Sequence, residues 1–418
     1  MEFVYKPSPG KPSEICTNGN YPNQLDFDTL GSMKRIVILG AGYAGLAALQ
    51  DLRVRVNSRE AEIVFVNQHP YHTFITELHT LAGGDRRAEE VTVPLHSLES
   101  DGVKVRIGTV EKIDWQNDAI LLEDGTLEYD YCLIGLGSHP ETFGIEGVKE
   151  NALFLNSLQS AEQIRQRLRQ LAKEAKASGK TAEVSIAGGG LTGIELAGEI
   201  AHHYRGLIQC TILEAMNQLI PGFDAGLAET AEVYLTRRGV RILKNDPIQK
   251  VTERLIVLKS GKEVSTDLLV WSAGVRANSI VADSGLQTDR KGRGLVDEYL
   301  HSVDRDHLYL IGDCAAINDP ETGRPLPPTA QLAVQMGRHV AEMIPRRMHG
   351  YVELPFRPEV KGFFASLGPG MGIGKMGCAR LKGKTALLVK WMVEAQHAFE
   401  SAGTDYVVKR IFRPRTSS

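Results

Sequence analysis

Cysteine is scarce and scattered in this chain. Its five cysteines, Cys16, Cys132, Cys210, Cys314 and Cys378, form no C-x-x-C pair. That excludes a disulfide-stapled scaffold and a zinc site, fits a reducing compartment, and leaves no metal site to expect. Long apolar runs are missing too: none approaches the roughly 18–20 residues needed to cross a bilayer. No sign of charge dominates, since 48 Lys and Arg against 51 Asp and Glu leave a net charge of −3. Nucleic acid is therefore not an expected partner.

Glycine, in contrast, is abundant, at 42 residues. Two of its clusters share one design. Gly40-Ala41-Gly42-Tyr43-Ala44-Gly45 follows the apolar run Ile36-Val37-Ile38-Leu39. Gly188-Gly189-Gly190-Leu191-Thr192-Gly193 follows Val184-Ser185-Ile186-Ala187. A glycine cluster can be merely a flexible loop, but each of these sits between a strand pattern and a helix pattern. There the first Gly (Gly40, Gly188) permits the tight turn. The second (Gly42, Gly190) lets backbone approach a pyrophosphate, and the third (Gly45, Gly193) lets helix pack on strand. The helix N-terminus offers free N–H groups to the phosphates. Two such turns imply two dinucleotides held at once, as electron transfer between them requires.

A ribose-binding residue is expected about 20 residues beyond each turn. The first following strand pattern ends at Asn67, the second at Glu214. A carboxylate there accepts from a ribose 2′-OH and repels a 2′-phosphate, so Glu214 favours NADH over NADPH. Asn67 selects more weakly. Either residue can instead be a strand-end turn former.

At 418 residues the chain has room for two or three domains. Residues 1–32 lack periodicity and end at Gly31-Ser32-Met33, which reads as a cloning junction after a tag or disordered extension. Tyr71–His79 is polar and aromatic, unlike a core element. Leu133–Gly137 and Leu268–Gly274 repeat one pattern, a strand running into a glycine bend at Gly137 and Gly274. Ser160–Ala177 has the spacing of an amphipathic helix. Leu308–Ile311 then forms an apolar strand capped by Gly312-Asp313. The economical topology returns that strand to the first sheet and brings Asp313 to its cofactor, although Asp313 can also cap the next helix.

These features resemble the two-dinucleotide-domain flavoproteins of the glutathione-reductase type. Pro327–Gln335 (Pro-Pro-Thr-Ala-Gln-Leu-Ala-Val-Gln) is similar to the Ala-Gln-x-x-x-Gln quinone-site motif of the type II NADH dehydrogenases. Tyr71–His79, Gly135–Gly147 and Gly193–Glu199 resemble the same enzymes. The resemblance implies an α/β fold of two Rossmann-like domains, with the NADH domain inserted in the FAD domain and a C-terminal membrane-associating segment. The expected organisation is residues 33–148 and 286–350 for FAD, 149–285 for NADH, and 351–418 for the membrane-associating region.

It further implies FAD on Gly40, Gly42, Gly45, Asn67, Gly137, Asp313, Ala330 and Gln331, and NADH on Gly188, Gly190, Gly193, Glu214 and Gly274. Glu195, Gln331 and Gln335 are the expected catalytic residues. The two glutamines, i and i+4 on a helix, present amides in one direction, suited to quinone carbonyls. Glu195 is placed in the first turn of the second nucleotide helix. The implied reaction moves hydride from NADH to N5 of FAD, then two electrons to a membrane quinone (menaquinone or ubiquinone), without proton pumping. The proton donor to the quinone stays open, with Lys375 and His397 as candidates.

Between Lys384 and Arg415, apolar residues and the cations Lys384, Lys390, Lys409, Arg410, Arg413 and Arg415 read as an interfacial anchor. The alternative is an ordinary amphipathic helix docked on the body or in a dimer interface. The Glu394–Asp405 stretch is more polar than an anchor needs. The expected setting is the cytoplasmic face of the cell membrane, peripherally bound, as a homodimer. Two rival readings stand beside this one. A sulfide:quinone oxidoreductase needs paired cysteines at the flavin; an NADH-sensing flavoprotein would hold its reduced state.

Overall fold

The computed structural model describes residues 33–84 and 86–412, without the side chains of 404, 405 and 407–412. The expectations for residues 1–32 and for the cations Lys409, Arg410, Arg413 and Arg415 lie outside the described residues and side chains.

The first unit opens with β1 (Lys34–Leu39), α1 (Tyr43–Arg55) and β2 (Ala61–Asn67). Ile36–Leu39 are wholly buried, as expected of a parallel strand covered on both faces. A short helix α2 (Leu78–Gly83), β3 (Val103–Ile107) and β4 (Tyr131–Ile134) follow. The second unit comprises β5 (Ala152–Phe154), α3 (Leu158–Ser178), β6 (Ala182–Ala187), α4 (Leu191–His203), β7 (Ile208–Glu214), α5 (Ala225–Arg237), β8 (Arg241–Lys244) and β9 (Leu268–Trp271). The chain then re-enters the first unit through β10 (His301–Ser302) and β11 (Arg305–Leu310), before α6 (Ala330–Met348).

The first sheet has the order β10-β11-β4-β1-β2-β3, and the second β5-β9-β6-β7-β8. Apart from the antiparallel β10, both are parallel. The two sheets share one plan. A glycine-turn strand (β1, β6) lies between a ribose-end strand (β2, β7) and a return strand (β4, β9). Strand order reverses beside the glycine turn, which is where such sheets open a ligand crevice. β11 pairs with β4, so the Gly312-Asp313 strand returns to the first sheet across the whole second unit.

α3 starts on a cap the sequence offers. The Ser157 hydroxyl accepts from the Ser160 N–H, and the helix buries Ile164, Leu168 and Leu171. α6 lies so close to α1 that a Cβ on Gly337 would strike the Ala44 carbonyl. An antiparallel sheet of β12 (Gly362–Ser366), β13 (Gly372–Met376) and β14 (Ala379–Lys382) leads to α7 (Lys384–Phe412), which breaks at Gly403 (φ 77°). Among the described residues no helix is long and apolar enough to cross a membrane.

Candidate functional site: two glycine cradles and a buried charge cluster

The two glycine turns are built alike. A Cβ on Gly40 would strike the Gly135 carbonyl, and one on Gly188 would meet Ala273 Cα at 2.8 Å. A Cβ on Gly45 or Gly193 would strike the carbonyl of its own turn's first glycine. These four positions are closed by the protein's own backbone. At Gly42 and Gly190, however, a Cβ would meet nothing within 4 Å. Each turn thus keeps one bare backbone position facing open space at a helix N-terminus, which fits the pyrophosphate of a dinucleotide.

Both ribose-position residues first brace their turn. Glu214 Oε2 accepts from Gly189 N at 2.7 Å and its Oε1 from Met216 N at 2.8 Å. Asn67 Oδ1 accepts from Ala41 N at 2.8 Å, while its amide nitrogen donates to the His69 carbonyl at 2.7 Å. The second partner differs in kind. After β7 it is an N–H, which needs a carboxylate; after β2 it is a carbonyl, which needs an amide donor. The carboxylate oxygens of Glu214 keep further lone pairs for a ribose hydroxyl.

Asp313 stands where its strand returns, with Oδ2 accepting from Ser138 Oγ at 2.6 Å. Burial pushes its carboxyl above the usual range, against the pull of Ser138 and Arg293. Gly312 places a Cβ position 3.2 Å from Ala44 Cβ and 3.7 Å from Ala333 Cβ, so α6 begins beside the first cradle. α6 is capped by Thr329, whose hydroxyl accepts from Leu332 N at 3.3 Å, directly before Ala330. Gly137, at φ 73°, faces open space, whereas Gly274 lies under the Phe143 ring.

The two glutamines do point the same way, but onto protein. Gln335 donates to the Glu359 carbonyl at 2.8 Å and accepts from its N–H at 2.9 Å. Gln331 accepts from Lys361 N at 3.2 Å. A helix face and a spacing reveal direction, not what occupies it. In this structure a strap, residues 351–361, lies along α6 and takes both ends of the Gln335 amide. Among the described residues, Gln331 has a partner for its oxygen alone. The strap is anchored upstream by Glu353, which receives His301 Nε2 and Tyr309 Oη, each at 3.0 Å.

Glu195 lies one residue past the first turn of α4, and it is buried. Its Oε1 is 2.9 Å from Lys390 Nζ and accepts from Ser366 N at 3.0 Å; His79 Nδ1 lies 3.5 Å from Oε2. Lys390 also pairs with Glu394 at 2.8 Å, and Arg86 joins Glu394 to Glu77. Burial opposes the charge on Lys390, but Glu195 and Glu394 outweigh it and hold the ammonium above its usual range. Against the same burial, Lys390 and Arg86 hold Glu394 below the carboxylate range.

Two expectations are corrected by this cluster. Tyr71–His79, expected outside the core, contributes His72, Phe74, Glu77 and His79, all at most 2% exposed. Lys390, counted with the surface cations, is enclosed, and part of the polar Glu394–Asp405 stretch, from Glu394 to Ser401, also meets the body of the protein. His397, a proton-donor candidate, stacks on Tyr43 at 4.6 Å. Gln50 donates to the Ser401 carbonyl, and Arg338 pairs with Glu400 at 2.8 Å. The missed signal was the i, i+4 pair Lys390 and Glu394, a spacing that also suits an exposed helix. The opposite face of α7 carries Leu388, Trp391, Met392 and Phe399, 44–56% exposed.

Of the described cysteines, Cys132, Cys210 and Cys314 are buried and reduced, with thiols pushed upward by burial, Cys314 to about 12. Such thiols are poor nucleophiles.

Residues 34–337 match the family model described as pyridine nucleotide-disulphide oxidoreductase. The type II NADH:quinone oxidoreductase of Staphylococcus aureus (strain NCTC 8325 / PS 47) is 30% identical over 395 residues, covering 90% of this chain and 98% of that protein. The chain belongs to the type II NADH:quinone oxidoreductases. Among solved structures, NDH2 from Plasmodium falciparum in complex with NADH superposes with a TM-score of 0.81 at 18% identity, over 91% of this chain and 99% of that one. The sulfide:quinone oxidoreductase of Aquifex aeolicus gives 0.74, also at 18% identity, over 91% and 95%. Both share the fold with this family member. The glycine cradles accord with the FAD and NAD(H) that the family uses.

Proposed function

We propose that this chain is an NADH:quinone oxidoreductase that does not pump protons, with FAD on the Gly40–Gly45 turn and NADH on the Gly188–Gly193 turn. One observation carries the assignment: two identically planned cradles, of which only the second ends on a carboxylate, Glu214. Bound FAD supplies a two-electron carrier between a hydride donor and a quinone. The chain's own groups bind, orient and handle protons. Gly42 and Gly190 bring bare backbone to the phosphates. Asn67 and Glu214 fix the two turns. Asp313, with Gly137 and the start of α6 at Ala330, borders the flavin position. Gly274, at the end of β9, borders the nicotinamide half, because Glu214 at the end of β7 sets the adenosine side.

Gln331, whose amide nitrogen is free to donate, is the better quinone contact; Gln335 reaches a quinone only if the strap at Glu359 yields. In the Glu195 cluster three carboxylates and His79 face two cations, Lys390 and Arg86. We assign proton handling for quinone reduction to this cluster, with Glu195 as the group on the nucleotide helix.

The enzyme reaches its quinone peripherally at the membrane, on the cytoplasmic face. In support, Leu388, Trp391, Met392 and Phe399 line one exposed face of α7, and an apolar helix face of this kind lies in an interface. The assembly proposed is a homodimer. Its mass in detergent tests this: twice the chain mass supports the dimer, and a single chain mass contradicts it.

The spectral test separates the readings. Under anaerobic conditions NADH should bleach the flavin band and a short-chain quinone should restore it. Bleaching by sulfide and not NADH would point to sulfide oxidation; bleaching that persists after quinone would point to a sensor.

A further inference from the structure

In each glycine turn the second residue is gripped at both polar ends. In the second turn this residue is Gly189. Its N–H donates to Glu214, and its carbonyl accepts from Ile220 N at 2.7 Å. Ile220 holds φ 43°, a left-handed conformation that a β-branched residue rarely adopts, so the grip is built against local preference. In the first turn the residue is Ala41. Its N–H donates to Asn67, but its carbonyl meets a side chain: Nδ1 of His72, at 2.7 Å.

The direction of that carbonyl matters because a trans peptide is planar, with C=O and the following N–H pointing opposite ways. Drawing the Ala41 carbonyl toward His72 turns the Gly42 N–H away from it. Gly42 is the position where a Cβ would meet open space. The Ile220 grip does the same for Gly190. We propose that His72 is a positioning residue of the flavin site, a neutral imidazole whose Nδ1–H sets the Ala41–Gly42 peptide so that Gly42 presents its N–H to the FAD pyrophosphate. This rests on the reading of the first turn as the FAD cradle.

Three features fit the role. His72 is wholly buried, with the Tyr43 ring at 5.5 Å, Phe74 at 4.9 Å and His397 at 6.1 Å fixing its plane. A carbonyl partner forces the proton onto Nδ1, which leaves Nε2 unprotonated, and Nε2 has no hydrogen-bond partner. Burial moves the imidazole down to about 4, so it stays neutral under ordinary conditions.

The test is FAD titration into the deflavinated full chain, read by flavin fluorescence, alongside NADH binding and thermal unfolding of the same flavin-free protein. Losing one buried hydrogen bond that orients a phosphate donor should weaken FAD by about tenfold in His72→Phe. His72→Asn, whose amide nitrogen falls near the place of Nδ1, should recover most of that loss. NADH affinity should be unchanged in both. Equal FAD affinity in wild type and His72→Phe would overturn the proposal. So would a fall in FAD affinity, NADH affinity and flavin-free stability together in both variants. A wild-type chain that binds no FAD would instead remove the reading beneath it. Should His72→Phe not fold, the nitrogen-15 spectrum of the His72 imidazole in the wild-type holoprotein decides: a neutral Nδ1–H form supports the proposal, and an Nε2–H or charged form contradicts it.

Discussion

Lys390 Nζ lies 2.9 Å from Glu195 Oε1, joining the C-terminal helix α7 to the nucleotide helix α4. Glu394, one turn further along α7, completes the pair from the other side at 2.8 Å. A cation enclosed between two carboxylates gives little net stability compared with apolar packing, but removing it strands both partners. Lys390→Met should therefore lower the unfolding free energy by about 3–5 kcal/mol, measured by denaturant titration. A change under 1 kcal/mol would mean the pair is solvated and α7 docks by its apolar contacts alone.

Glu195→Gln keeps an acceptor for Ser366 and removes the charge that faces Lys390 and His79. If the cluster handles protons, the quinone half-reaction should slow by about 10²-fold or more, while flavin reduction by NADH changes little. Single-turnover rates separate the two. Equal rates in wild type and variant for both half-reactions would remove Glu195 from the chemistry.

Glu214 serves two backbone N–H groups, those of Gly189 and Met216. Glu214→Ala leaves both without an acceptor, at about 1–3 kcal/mol each where buried. NADH affinity should fall at least tenfold, with the FAD spectrum intact, and discrimination against NADPH should relax. Retained preference for NADH in this variant would show that another residue reads the ribose.

His301 sits between Asp297 and Glu353, 3.0 Å from each, and so anchors the strap that covers Gln335. Burial lowers its pKa, but hydrogen bonds and the charges of the two carboxylates outweigh that and carry it to about 9. A pKa raised on folding adds stability that is complete below the unfolded value of about 6.5 and is lost as pH rises through about 9. Thermal unfolding should weaken across that window, by up to about 3 kcal/mol, and His301→Gln should flatten the dependence. A variant with the wild-type pH profile would contradict the anchor.

The exposed stripe on α7 predicts membrane binding with a defined face. Leu388→Ser with Trp391→Ser removes two large apolar groups, each worth about 1.5–3 kcal/mol when buried in an acyl boundary. Flotation with vesicles containing anionic lipid should lose the double variant, while turnover with soluble quinones persists. Undiminished flotation would exclude α7 as the contact.

What the sequence made legible is the repeated plan. Apolar strands, glycine turns and the returning Gly312-Asp313 strand are local patterns, and local patterns carry the sheet order. Less legible was anything fixed by contacts between distant segments. Asn67 looked like a weakened ribose residue, yet its amide matches a carbonyl at His69 that composition does not reveal. Gln335 showed its direction but not the Glu359 backbone lying there. Lys390 and Glu394 carry the residue types of a surface helix, and only their partners, Glu195 on α4 and Arg86 beyond the end of α2, turn that face inward. Tyr71–His79 has too many polar side chains to read as core; the groups that meet its buried imidazoles, the Ala41 carbonyl for His72 and Glu195 for His79, lie far along the chain.

The central claim is that two cradles pass electrons in sequence from NADH to quinone. Sequential-mixing stopped flow tests it most directly: the holoenzyme is mixed anaerobically with NADH, then with a short-chain quinone, while the flavin absorbance is followed. The account predicts that bleaching and recovery each proceed at least as fast as steady-state turnover. Either step running slower than turnover would contradict it.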